Sequence, residues 1–133
     1  MVGRALLGHG IHVLVEKPIA TSVAEARELI DVARAHNCTL QVGHLERFNP
    51  AMVALRPHVR KPVYFEIHRV GEFTARSLDI DVVLDLMIHD LDLLLTSVGS
   101  DVVDLEVVGV NVLTPKADIA NARVKFENGC IAN

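Results

Sequence analysis

The chain has 133 residues, enough for a domain with its own hydrophobic core. Half of them are apolar and 23% are charged, which excludes a disordered or fibrous polypeptide. The net charge is −4, and Lys and Arg are scattered singly apart from Arg56, Arg60 and Lys61; with no Trp and one Tyr, the sequence has neither a basic stripe for nucleic acid nor a platform for stacking bases.

No apolar run approaches a membrane span, and the opening MVGRALLGHG lacks an apolar core of signal-peptide length. A cytoplasmic protein with no membrane partner is therefore expected. Cys38 and Cys130 stand far apart without a CxxC motif and read as two reduced thiols.

Taken in order, Arg4–Gly8 reads as the end of a helix stopped at glycine, and Ile11–Val15 as a short buried strand. Ser22 and Glu25 form a capping box that opens a helix over Val23–His36. Val23, Ala26, Leu29, Ile30 and Ala33 fall on one face of that helix. Thr39–Val42 is a second short strand, and strand–helix–strand at this spacing predicts a βαβ unit with parallel strands. Asn49-Pro50 then starts a helix running to Leu55 or His58, with Asn as cap and Pro in the first turn.

Val63–Val70 alternates as a strand, with Val63, Phe65 and Ile67 on one face. Asp81–Ser97 is apolar at helical spacing and stops near Gly99. Val102–Leu113 and Ile119–Phe126 are extended, separated by Thr114-Pro115, and Asn128-Gly129 signals a type I′ hairpin turn. A single βαβ unit at one end and a hairpin with a short second arm at the other predict an internal fragment of a longer protein.

Three motifs carry chemistry. Glu16-Lys17-Pro18 follows the first strand, at the end of a parallel sheet where ligands bind. Lys17 is there either a proton donor and fixed positive charge or a solvated turn residue. Asp85 and His89 are four residues apart in an apolar helix and can meet. A carboxylate beside an imidazole fixes its tautomer and prepares a general base, although a structural pair has the same spacing. His44-Leu-Glu-Arg-Phe-Asn-Pro50 lies beyond the second strand at a helix start, where Arg47 can meet a phosphate or Glu46. A metal site built from Asp85, His89 and His44 has no HExxH or Cys/His cluster behind it, so no metal is expected. No GxSxG appears, and Gly8 and Gly10 do not form a GxGxxG loop.

In their order and spacing, HVLVEKPIA, RFNPA and the D-x-x-x-H helix resemble the Gfo/Idh/MocA family of NAD(P)-dependent oxidoreductases. The resemblance implies α/β followed by α+β architecture. Residues 1–45 would be the C-terminal remnant of a Rossmann domain without its glycine loop. Residues 46–133 would be the first part of an α+β domain with an open, mostly antiparallel sheet. Lys17, His89 and Asp85 match the family's catalytic positions, and Glu16, Lys17 and Arg47 its cofactor-binding positions.

The wording VGHLERFNPAMVALRP, RSLDIDVVLDLMIHDLDLLL and DIANARVKFENGCIAN is similar to the nucleotide-sugar branch of the family, which oxidises the 3-hydroxyl of UDP-N-acetylglucosamine to a ketone for 3-amino sugars of lipid A. NAD is the implied cofactor, with NADP open, and a homo-oligomer through the C-terminal sheet is the implied assembly. An inositol or other sugar dehydrogenase of the family, or a non-catalytic oligomerising domain, remains an alternative.

Overall fold

The structure, a computed structural model, describes residues 2–71 and 80–133. Residues 76–79, the Arg-Ser-Leu-Asp that opens the stretch RSLDIDVVLD, lie outside the described residues. The chain forms two compact units, Met1–His44 and Leu45–Asn133.

In the first unit, α1 (Val2–Gly8) and α2 (Val23–Ala35) pack together beside two strands, β1 (Val13–Val15) and β2 (Leu40–Val42). The strands are parallel, with Val13 opposite Leu40 and Val15 opposite Val42. Ser22 Oγ accepts from the Glu25 amide at 3.2 Å, as the capping box predicts. The returning Glu25 carboxylate goes one residue further back, to the Thr21 amide (3.1 Å) and hydroxyl (2.5 Å). Those bonds hold the Glu25 carboxyl below its ordinary pKa.

Leu7, Leu29 and Ala33 form the buried centre of this unit, flanked by Val13, Ile19 and Leu40. β1 is shorter than the expected strand and covered on one side: Val13 and Val15 are half-buried, whereas Leu14 is 64% exposed. The continuous apolar run suggested burial on both faces, but α1 and α2 supply only one cover.

The second unit carries a four-stranded sheet in the order β3-β6-β5-β4. β4 (Val102–Val110) and β5 (Ile119–Phe126) form a long antiparallel hairpin, irregular between Val102 and Asp104. β6 (Ile131–Ala132) pairs antiparallel with β5 and parallel with β3 (Tyr64–Phe65), so the sheet is mixed and mostly antiparallel. Leu94 and Val98 of the helix α4 (Ile88–Val98) pack with Val124, Phe126, Cys130 and Ala132, and Phe65 and Ile67 complete this core. Phe126, 2% exposed, contributes about 2–3 kcal/mol by leaving water. Burial also pushes the Cys130 thiol above its ordinary pKa.

Three expectations are corrected here. The strand over Val63–Val70 is only Tyr64–Phe65, because β6, its sole neighbour among the described residues, is two residues long. Ile67 still donates to Asn133 O at 2.9 Å and packs in the core, but Val63 is 76% exposed.

The long helix is two segments, a π-helical turn over Val83–Met87 followed by α4. Asp81 caps its start, accepting from the Leu84 amide at 2.9 Å, and Gly99 ends α4 at φ +60.

The Asn128-Gly129 turn is not type I′, which needs positive φ at both central residues. Gly129 has φ +87, whereas neither Glu127 nor Asn128 is among the positive-φ residues. The Gly129 amide donates to Phe126 O at 2.9 Å, which makes a type I turn followed by a left-handed glycine. Asn128 Oδ1 accepts instead from the Cys130 amide at 3.0 Å, a local bond for which the dipeptide signal makes no allowance.

Candidate active site

The candidate residues divide between the units: Glu16 and Lys17 belong to the first, and Arg47, Asp85 and His89 to the second. Glu16-Lys17-Pro18 leaves the end of β1, with the Lys17–Pro18 peptide bond cis. Lys17 is half-buried and Glu16 exposed. The neighbouring strand end is tied to this turn by the Gly43 amide, which donates to Val15 O at 2.7 Å. A Cβ on Gly43 would stand 3.0 Å from Glu16 Oε2 and 3.3 Å from its carboxyl carbon. The Glu16 carboxylate therefore lies over a backbone stripped of its side chain, at the carboxyl ends of two parallel strands.

In the second unit a 3-10 turn, Leu45–Phe48, precedes α3 (Pro50–Leu55), which Asn49 caps through the Ala51 amide at 3.0 Å. Arg47 in that turn meets neither Glu46 nor solvent alone. Its Nε donates to Asp92 Oδ2 at 2.6 Å and its Nη2 to Asp92 Oδ1, a two-pronged fork on a carboxylate only 8% exposed. The Asp92 carboxylate raises the Arg47 pKa above its ordinary value. A second fork stands on the same helix: Arg69 Nε lies 2.9 Å from both oxygens of Asp90, and its Nη2 donates to Oδ1 at 2.7 Å.

Asp85 sits inside the π-helical turn, half-buried, its amide donating to Asp81 O at 3.0 Å. π-turns inside helices recur at functional positions. His89 occupies the first turn of α4 and is half-buried. Its Nδ1 is buried with no hydrogen-bond partner among the described residues, so Asp85 does not close on that nitrogen. Among the described residues no group of three His, Cys, Asp or Glu side chains is arranged as metal ligands.

Sequence reasoning missed Asp90 and Asp92 as the partners of Arg69 and Arg47, and Asp92 pairs with an arginine 45 positions away in sequence. No local pattern signals so distant a partner. The one available hint is a carboxylate two residues on from another in an otherwise apolar helix, an expensive place for an unpaired charge.

Residues 1–44 match the family model described as "Oxidoreductase family, NAD-binding Rossmann fold", that of the Gfo/Idh/MocA proteins. This stretch is thus a Gfo/Idh/MocA domain segment, followed by helices and a mixed sheet.

The chain is 44% identical to the UDP-N-acetylglucosamine 3-dehydrogenase of Acidithiobacillus ferrooxidans, over 99% of its own length and 42% of that protein's. A solved structure of that dehydrogenase superposes with a TM-score of 0.93. An inositol 2-dehydrogenase of Agrobacterium fabrum is 30% identical over 78% of this chain and 33% of its own. The chain thus spans less than half the length of the curated relatives it matches. No described helix is long and apolar enough to cross a membrane.

Proposed function

We propose that the chain carries the proton-handling residues of an NAD(P)-dependent dehydrogenase that oxidises a sugar hydroxyl to a ketone, with the 3-hydroxyl of UDP-N-acetylglucosamine as substrate. The observation that carries this reading is His89, half-buried at the head of α4 behind the turn that holds Asp85, in a chain 44% identical to a dehydrogenase of that name.

With Nδ1 enclosed, Nε2 is the nitrogen that takes the hydroxyl proton. The carbon-bound hydrogen leaves with its electron pair, and the C–O bond becomes a carbonyl. Asp85 supplies negative charge as the imidazole becomes positive. Lys17 steadies the oxygen on which charge develops.

Glu16, whose carboxylate lies against Gly43, and Lys17 stand at the carboxyl ends of β1 and β2 and would hold the nicotinamide end of the cofactor. When bound, nicotinamide accepts the hydride. Arg47, whose Nε and Nη2 hold Asp92, is the second unit's candidate for binding the cofactor. The 3-keto product is the substrate class for transamination to a 3-amino sugar of lipid A. The reading places the reaction in the cytoplasm and the assembly as a homo-oligomer through the exposed strand β4.

The test is a chimaera in which this chain replaces the matching stretch of the Acidithiobacillus dehydrogenase. Reduced nicotinamide forming with UDP-N-acetylglucosamine and not with inositol supports the reading. Turnover of inositol alone favours the Agrobacterium-like alternative, and a folded chimaera without turnover on either overturns the assignment.

A further inference from the structure

We infer that Asp90 and Asp92 are positioning residues which, through the Arg69 and Arg47 forks, lock the roll of α4 and thereby fix the direction of the His89 ring. The inference rests on the reading of His89 as the base; it adds Asp90, Asp92 and Arg69 to the site and gives Arg47 a second role.

The argument is angular. An α-helix advances about 100° per residue. With His89 taken as zero, Asp90 points about 100° to one side and Asp92 about 60° to the other. The two carboxylates thus bracket the histidine, and each is held by a guanidinium from a different part of the chain. Arg47 comes from the turn Leu45–Phe48, and Arg69 from the segment after β3.

One fork alone allows the helix to pivot about it, whereas two on opposite flanks oppose rotation in both senses. Forks suit this task because two parallel hydrogen bonds define an orientation as well as a distance. Both carboxylates are well covered: Asp90 is 13% exposed and Asp92 8%. Buried charge is costly and adds little net stability even when paired, so a role in orientation accounts for two such pairs on one turn better than stability does.

The need for a lock comes from the segment before α4. The π-helical turn Val83–Met87 interrupts the regular ladder just upstream of His89, so the helix start does not inherit its phase from an unbroken α-helix. A ring roughly 6 Å from the axis moves about 1 Å for a roll of roughly 10°. A displacement of that size is enough to cost about 100-fold in an oriented reaction.

The experiment is NMR of the His89 imidazole in the 133-residue chain. Arg47→Lys and Arg69→Lys keep the charge and lose the fork. Lys125→Gln breaks an ion pair of 2.6 Å to Asp104 across β4 and β5 and serves as the control for lost stability. The lock predicts shifted and exchange-broadened His89 ring signals in each arginine variant, more so in the double variant, and unchanged ones in Lys125→Gln. Unmoved His89 signals in the folded double variant would overturn it, as would an equal change in the control.

Should the arginine variants unfold, Asp92→Asn, which keeps the side-chain shape, takes their place. Shifted and broadened His89 signals in that protein support the lock, and unmoved ones overturn it. No turnover is needed, so a chain that proves not to be a dehydrogenase still returns an answer on the lock.

Discussion

The Arg47–Asp92 fork makes a quantitative prediction, because its two ends differ in exposure. Asp92 is 8% exposed and the Arg47 side chain 42%. Arg47→Ala takes the guanidinium fork away from a buried carboxylate, and removing one member of a buried ion pair costs about 3–5 kcal/mol. Water reaches this pair from the Arg47 side, so the expected loss is the lower end, about 3 kcal/mol.

Asp92→Ala instead leaves a half-exposed guanidinium that water can take over. Its loss is nearer the value of a charged hydrogen bond, about 1.5–2 kcal/mol. Replacing both ends by apolar groups, Arg47→Met with Asp92→Leu, should recover most of the Arg47→Ala deficit, since neither charge then stays behind. Urea unfolding of the four proteins, followed by far-ultraviolet circular dichroism, measures all three differences. Equal losses for the two single variants, or a larger one for Asp92→Ala, would refute the idea that burial of the carboxylate sets the cost.

Other outcomes follow from the same geometry. Asp118 accepts from the Val112, Leu113 and Thr114 amides at 2.7–2.9 Å and from the Thr114 hydroxyl at 2.8 Å, which holds its carboxyl far below the usual carboxylate range. Its stabilising contribution is complete above the unfolded value near 3.8 and is lost as pH falls below it. Asp118→Asn should therefore be less stable at neutral pH and lose less on acidification, read by thermal melts from neutral pH down to strong acid; parallel melting curves for the two proteins would count against this.

Phe126→Ala, in the sheet core, should cost about 3–5 kcal/mol in urea unfolding. Gly43→Ala should leave the melting temperature nearly unchanged, because Gly43 lacks a positive φ, while displacing the Glu16 carboxylate, seen as a shifted side-chain carboxyl NMR signal. β4 is exposed along its whole length, with Leu105, Val107 and Val108 between 54% and 64% exposed, so light scattering should show concentration-dependent association that Val108→Lys weakens.

Local signals were legible where local physics decides the outcome. The Ser22 cap, the Asn49-Pro50 helix start, the Gly99 stop and the parallel pairing of β1 with β2 all follow from neighbouring residues or a short crossover. The π-turn was not legible, because Val83–Met87 reads the same in either kind of helix and the pattern cannot register one extra residue in a turn. Nor was the brevity of β3, which depends on how far β6 runs beside it rather than on the alternation of Val63, Phe65 and Ile67. At the candidate site the residues with chemistry stood out locally, Asp85 and His89 as polar groups in a largely apolar stretch and Lys17 by its place directly after the first strand. The forks that hold α4 did not stand out, because Arg47 and Asp92 become neighbours only through tertiary folding.

The most direct measurement is turnover per folded molecule of the chimaeric dehydrogenase carrying His89→Ala, set beside its melting temperature. A general base at His89 predicts a fall of roughly 10²–10⁴-fold with the melting temperature held. Lys17→Ala should fall at least as far, and Asp85→Asn, which keeps the shape and removes the charge, less. Turnover close to that of the unsubstituted chimaera in a well-folded His89→Ala protein would contradict the assignment of His89 as the residue that takes the hydroxyl proton.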